Sequence, residues 1–168
     1  MNMYDARAIA NFLLDYADEK KTNVTLLSVL KMIYYAHGWH LSLKKGPLVA
    51  QPFEAWEYGP VVRSVWEAFK GSGKEPLTTR AKRLDVVANS YSEVREPIEK
   101  DEADFLRQIF DAYAHMDAFD LSNSTHIEGS PWHEVWNAPD GAINVGMKIP
   151  NDEIRKWFSG KRAPSLLH

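Results

Sequence analysis

The chain reads as mainly α, a compact single-domain helical bundle with a small extended/β element. Three observations predict this. Apolar residues recur at helical spacing over several long stretches, and the period shortens to strict alternation only over residues 52–58. A length of 168 residues, 45% hydrophobic and 26% charged, suits one domain with a substantial core, spanning 1–168 with its packed part at about 5–158.

The first helix runs from Asp5 to about Glu19. Ile9, Phe12, Leu13, Tyr16 and Ala17 share its inner face, and Asp5 is placed to cap the first turn. A second helix spans about Thr25 to Leu43, with Leu26, Leu27, Leu30, Ile33, Tyr34 and His37 on one broad face. Lys44 and Lys45 complement its C-terminus, and Gly46-Pro47 ends it. Its apolar circumference places it centrally. Phe53, Ala55 and Glu57 then alternate with Glu54, Trp56 and Tyr58, which predicts a short extended stretch. Gly59-Pro60 reads as a turn into a third helix, with Pro60 in its first turn and Val61, Val62, Val65, Trp66 and Phe69 continuing to Gly71.

Residues 71–99 give no clear period. A fourth helix covers about Asp101 to His115, with Phe105, Leu106, Ile109, Phe110 and Tyr113 inward. Short helices are expected at about Ala118–Thr125, at Pro131–Asn137 and, behind an Asn151 cap, at Asp152–Phe158.

Composition excludes several classes. Without cysteine the chain has no disulfide, thiolate zinc site, iron–sulfur cluster or cysteine nucleophile, which suits a reducing cytosol and a cytoplasmic location. No apolar run reaches the length of a membrane span, and the N-terminus lacks the basic region of a signal peptide. Twenty basic and 23 acidic residues leave a net charge of −3, and glutamates rather than basic residues interleave with the aromatics. Nucleic-acid binding is disfavoured on both counts.

Few residues suggest a reactive centre. His126, Glu128 and His133 lie close together and carry metal-ligand chemistry, so a metal-dependent hydrolase is one alternative. Their spacing matches no HExxH helix pair, and Gly129 and Pro131 interrupt them. The simpler reading is a junction in which Ser130 caps a helix, Pro131 takes its first position and Trp132 packs inward. His37 and His40, spaced i, i+3, have the geometry of ligands or an acid/base couple, but their apolar face favours a hydrogen-bonded core role. There is no G-x-S-x-G and no phosphate-binding glycine loop, and no cofactor is expected.

The aromatic load is more informative. Tyr34, Tyr35, Trp39, Trp56, Tyr58 and Trp66 gather in and after the second helix; most should be core, and any left exposed would anchor a protein partner. Residues 70–83 are net basic and 93–104 net acidic, through Glu93, Glu96, Glu99, Asp101, Glu102 and Asp104. That asymmetry marks 71–100, and the acidic stretch above all, as a candidate segment for partner discrimination.

Three ordered blocks carry a family resemblance. Leu30-Lys31-Met32-Ile33-Tyr34-Tyr35-Ala36-His37-Gly38-Trp39-His40-Leu41 resembles the L-x-K-L-x-Y-x-A-x-G-W-x-L helix of the Panacea domain of SocA-like antitoxins. Phe53-Glu54-Ala55-Trp56-Glu57-Tyr58-Gly59-Pro60-Val61-Val62 follows in the family's order, and the segment from Leu121 through Thr125, His126 and Glu128 to Pro131-Trp132 is similar to its L-S-x-x-T-H-x-E-x-x-P-W signature. The resemblance implies a non-enzymatic antitoxin of a type II toxin–antitoxin pair, bacterial or phage-borne. Its partner would be a cognate toxin encoded by an adjacent gene and neutralised by direct protein–protein binding. In one branch the antitoxin also delivers its toxin to a Clp protease, a role left open for this chain. A DNA-binding autorepressor is the remaining alternative, against the acidic balance. Trp56 and Trp132 are most simply core, and His126 with Glu128 would form a hydrogen-bonded element tying the later helices to the Tyr34–Trp39 helix.

Overall fold

A computed structural model describes residues 2–138 and 147–167. Its elements in chain order are α1 (Ala6–Glu19), α2 (Leu26–Leu43), β1 (Phe53–Trp56), β2 (Gly59–Val61), α3 (Arg63–Phe69) and a 3-10 turn at Lys70–Ser72. Then come β3 (Lys82–Asp85), β4 (Ser90–Glu93), α4 (Lys100–Tyr113), α5 (Ala118–Asn123), α6 (Pro131–Trp136), β5 (Met147–Ile149) and α7 (Asn151–Ser159). The fold is mainly α with small antiparallel sheets, as the sequence predicts.

Local chemistry sets most helix starts. The Asp5 carboxylate accepts from Arg7 N at 2.9 Å, and Thr25 accepts from Ser28 N at 3.4 Å, so side chains satisfy otherwise unpaired first-turn amides. α2 is the axis of the molecule: every residue in it except Leu27, Tyr35 and Leu43 is buried. α1, α3, α4, α5 and α7 all pack on it, which is why its apolar character extends around the cylinder. Both its histidines are buried and hydrogen-bonded. The Nδ1 of His37 accepts from Leu48 N and Val49 N at 3.3 Å, so Nε2–H donates to Asn151 Oδ1 at 2.8 Å. Burial lowers the His37 pKa to about 4, keeping the ring neutral. His40 Nδ1 donates to Gly46 O at 2.7 Å, and its Nε2 faces Glu102 at 3.2 Å.

α7 crosses α2 at Gly38. A Cβ placed there would lie 2.5 Å from Cδ2 and Cζ of the buried Phe158 ring. Gly38→Ala is therefore expected to destabilise the protein by about 2 kcal/mol, overpacking outweighing the helix propensity gained. Urea unfolding measures it; an unchanged midpoint would show that the ring can move aside.

Two expectations fail here. Gly59 and Pro60 do not lead into a helix; they form β2, paired with β1 through Trp56↔Gly59, Ala55↔Pro60 and Glu54↔Val61. β2 is an edge of the β2-β1-β5 sheet, where a proline without N–H is tolerated, and the helix begins only at Arg63. Asn151 is not a cap: α7 starts one residue earlier than expected, and the Asn151 side chain is committed to His37. The unassigned 71–99 stretch contains the β3–β4 hairpin, exposed at every strand position, with Val86 81% and Val87 99% exposed at its tip. Asn11, wholly buried in α1, holds its base by donating to Ala81 O and Val94 O at 3.0 Å and accepting from Ala81 N at 2.7 Å.

Candidate functional site

The three motif blocks, far apart in sequence, meet at the β1–β2 turn. Three alternate carbonyls of that turn each accept a hydrogen bond from a different helix. Trp132 Nε1 in α6 donates to Trp56 O at 2.7 Å, Ser122 Oγ in α5 to Tyr58 O at 2.6 Å, and Lys31 Nζ in α2 to Pro60 O at 2.8 Å. The donors are themselves braced. Thr125 Oγ1 donates to Ser122 O at 2.6 Å, and Ser130 Oγ donates to Thr125 O at 3.0 Å while also capping α6, with Pro131 in its first turn. Ser124 Oγ donates to Leu121 O at 2.6 Å, so the Tyr35 hydroxyl donates to Ser124 Oγ at 2.5 Å.

Lys31 is wholly buried, at 0% exposed. Among the described residues it has no ion-pair partner, and burial lowers its pKa from 10.5 to about 7. A buried amine is tolerated here because it gives Pro60 O a hydrogen bond that no backbone amide supplies. Gly59 makes room for it. With φ at 107°, a Cβ there would meet Thr125 Oγ1 at 2.5 Å and Lys31 Cε and Nζ at 3.0 and 3.1 Å.

The clamp is sensitive to single deletions. Ser122→Ala removes the 2.6 Å hydrogen bond to the Tyr58 carbonyl and is expected to cost about 1–2 kcal/mol. Chemical denaturation beside Ser92→Ala on the exposed hairpin tests this; equal stabilities would mean that the Tyr58 carbonyl finds water instead.

The expected aromatics divide cleanly. Tyr34 and Trp39 are core, at 3% and 4% exposed, and Trp39 Nε1 donates to the Tyr113 hydroxyl at 2.7 Å. Tyr35 stacks on Tyr113 with centroids 4.4 Å apart. Trp132 is buried, whereas Trp56 is half-buried against Trp66, centroids 5.0 Å apart, and Tyr58 is 56% exposed at the tip of the turn. Trp66, Phe119 and the half-exposed Leu27 extend this face beyond the motifs, and no sequence period marked it as outward.

His126 and Glu128 do not form the expected tie to α2. The His126 ring stacks on Trp132 at 4.0 Å between centroids, its buried Nε2 makes no well-formed hydrogen bond among the described residues although the Tyr58 backbone lies close to the ring, and Glu128 is exposed. Burial and then the Lys31 charge lower the His126 pKa. His133 Nδ1 accepts from Gly129 N at 3.3 Å, so it belongs to the α6 cap, and among the described residues no three His, Asp or Glu side chains converge as metal ligands.

The acidic segment is largely engaged within the chain. Glu93 pairs with Arg95, Glu102 with Lys44, and Asp104 with Lys100 and Arg107, while Glu96 accepts from Asp5 N. Glu99 and Asp101 are exposed and hold no ion pair among the described residues. Also among the described residues, no helix is long and apolar enough to cross a membrane.

This arrangement defines a class: a helical scaffold whose motif residues immobilise one presented turn beside an aromatic face. The particular family follows from comparison with known proteins. The model of the SocA-like antitoxin family, Panacea domain, matches residues 29–133. Over 154 residues the chain is 32% identical to Antitoxin SocA of Caulobacter vibrioides (strain NA1000 / CB15N), covering 92% of this chain and 82% of that protein. The chain belongs to the SocA-like antitoxin family. No solved structure matches it.

Proposed function

We propose that this protein is the antitoxin of a toxin–antitoxin pair and neutralises its toxin, the product of an adjacent gene, by direct binding. The observation that carries this reading is the clamp. Lys31, Ser122 and Trp132, one from each family block, hold the carbonyls of a single turn whose tip, Glu57-Tyr58, faces outward. An inhibitor works by presenting a rigid complementary surface, and ordering that surface before binding lowers the entropic cost of association.

Toxin discrimination is assigned to the 71–100 region with its acidic continuation to Asp104. In its acidic stretch Glu99 and Asp101 are both exposed, and neither holds an ion pair among the described residues.

Co-expression with the neighbouring gene tests the reading. Growth arrest by the neighbour alone, relief by this protein and co-purification of the two are expected; a neighbour that is harmless or does not bind would overturn it. Immunoblots of the toxin in the same cells separate simple binding, which leaves its level unchanged, from delivery to a Clp protease, which lowers it. Charge reversal of Glu99 and Asp101 should weaken the cognate pair. Unaltered neutralisation would remove the segment from recognition.

A further inference from the structure

The face beside the clamped turn is open among the described residues. Leu26, Leu30 and Val61 floor a groove of about 530 Å³, and Trp56, Trp66 and Phe119 wall it. Phe119 is 50% exposed, a high value for a phenylalanine in a well-packed helical protein.

The charges around this groove suggest the occupant. Near it, Arg63 pairs with Glu54 and Lys70 with Glu67. Glu57 and Lys74 also line it, both exposed, and among the described residues neither has an ion pair. Lys74 Nζ instead lies 5.6 Å from the centre of the Phe119 ring. The groove therefore presents an apolar floor with one unmatched anion and one unmatched cation at its rim.

We propose that this groove is the docking site for an apolar segment of the cognate toxin, one carrying a basic residue opposite Glu57 and an acidic residue opposite Lys74. The inference rests on the antitoxin reading above and names the surface and the partner chemistry. Aromatic anchors in a desolvated groove supply the affinity, and the opposed rim charges fix the direction in which the segment lies. The clamp is what makes the groove a standing feature. Trp56 and Tyr58 belong to the turn whose carbonyls Trp132, Ser122 and Lys31 hold, so one wall is set before the partner arrives.

The experiment uses the full chain and the toxin from the adjacent gene, with affinity read by titration and folding by thermal melts. Phe119→Glu, at a half-exposed position, is expected to weaken toxin binding at least about 30-fold with little change in melting temperature. Glu57→Lys and Lys74→Glu are each expected to weaken it roughly 5- to 10-fold, an effect that shrinks as salt is raised. Should Phe119→Glu disturb folding, the two rim variants decide the matter, since both side chains are exposed.

Wild-type protein that binds the toxin while all three variants bind within 2-fold of it would overturn the groove and leave the antitoxin reading standing. Wild-type protein that neither binds nor neutralises would overturn both. Loss of binding through Val87→Lys on the hairpin, with the groove variants unaffected, would place the contact there instead. Phe119→Glu that abolished self-association of the chain while sparing toxin binding would assign the groove to a second copy and likewise overturn the proposal.

Discussion

Raising the pH from 7 to 9.5 is expected to stabilise this protein by about 3 kcal/mol, and Lys31→Met is expected to remove that gain. Burial lowers the pKa of Lys31 in the folded state from 10.5 to about 7. Between those values the unfolded chain binds a proton that the folded protein does not, so stability rises with pH at up to about 1.4 kcal/mol per unit. The opposite sign would require a folded pKa above 10.5, hence a carboxylate partner, and among the described residues Lys31 has none. Above about pH 10 the trend should reverse. Burial raises the pKa values of Tyr34, Tyr35 and Tyr113, so the unfolded chain is then the form that loses protons first. Methionine fills a similar volume with no titratable group, although it leaves Pro60 O without its donor. Urea unfolding at half-unit steps from pH 6.5 to 9.5 gives the answer directly: a flat wild-type profile, or an equal slope in Lys31→Met, would show that the amine is solvated.

Gly59→Ala is expected to be the most damaging conservative change, costing about 3–5 kcal/mol and disrupting the presented turn. Two independent penalties combine. The φ of 107° lies where a residue with a Cβ is strained, at about 1–3 kcal/mol. The added methyl would also lie 2.5 Å from Thr125 Oγ1 and about 3 Å from the end of Lys31. Neither neighbour can yield freely, because Thr125 Oγ1 donates to Ser122 O and Lys31 Nζ to Pro60 O. Gly71→Ala is the matched control, since nothing lies within 4 Å of a Cβ there. Melting temperatures of the two variants settle the point, with indistinguishable values telling against a tight clamp.

Both predictions concern residues whose tertiary surroundings no local pattern shows. A lysine on a helix ordinarily reaches solvent, and nothing local to Lys31 says that Pro60, 29 positions on, would place a carbonyl over its amine. Gly59-Pro60 is equally good as a helix start or as a strand after a tight turn. Pairing with β1 decided for the strand. Leu27 shows the same limit from the other side: its period put it inward with Leu26 and Leu30, yet it is half-exposed on the groove.

Much else was legible, for identifiable reasons. α1, α2 and α4 followed from apolar periodicity, and Asp5, Thr25 and Ser130 marked helix starts because capping is a contact between near neighbours in the chain. The β3–β4 hairpin escaped notice because both faces of it are exposed, so no apolar alternation is written into it. β5 is three residues long and exists by pairing with β1, about a hundred positions earlier.

By itself, then, the sequence determined the helical class, the caps at Asp5 and Ser130, the central helix and the motif blocks that carry the family, all properties of neighbouring residues and of composition. Only the tertiary structure decided that Lys31 would be a buried amine, that one turn would be held at three carbonyls, and which aromatics would stay outside the core. Burial and hydrogen-bond partnership at these positions come from segments 30 to 90 residues apart, and no local pattern encodes which of them will meet.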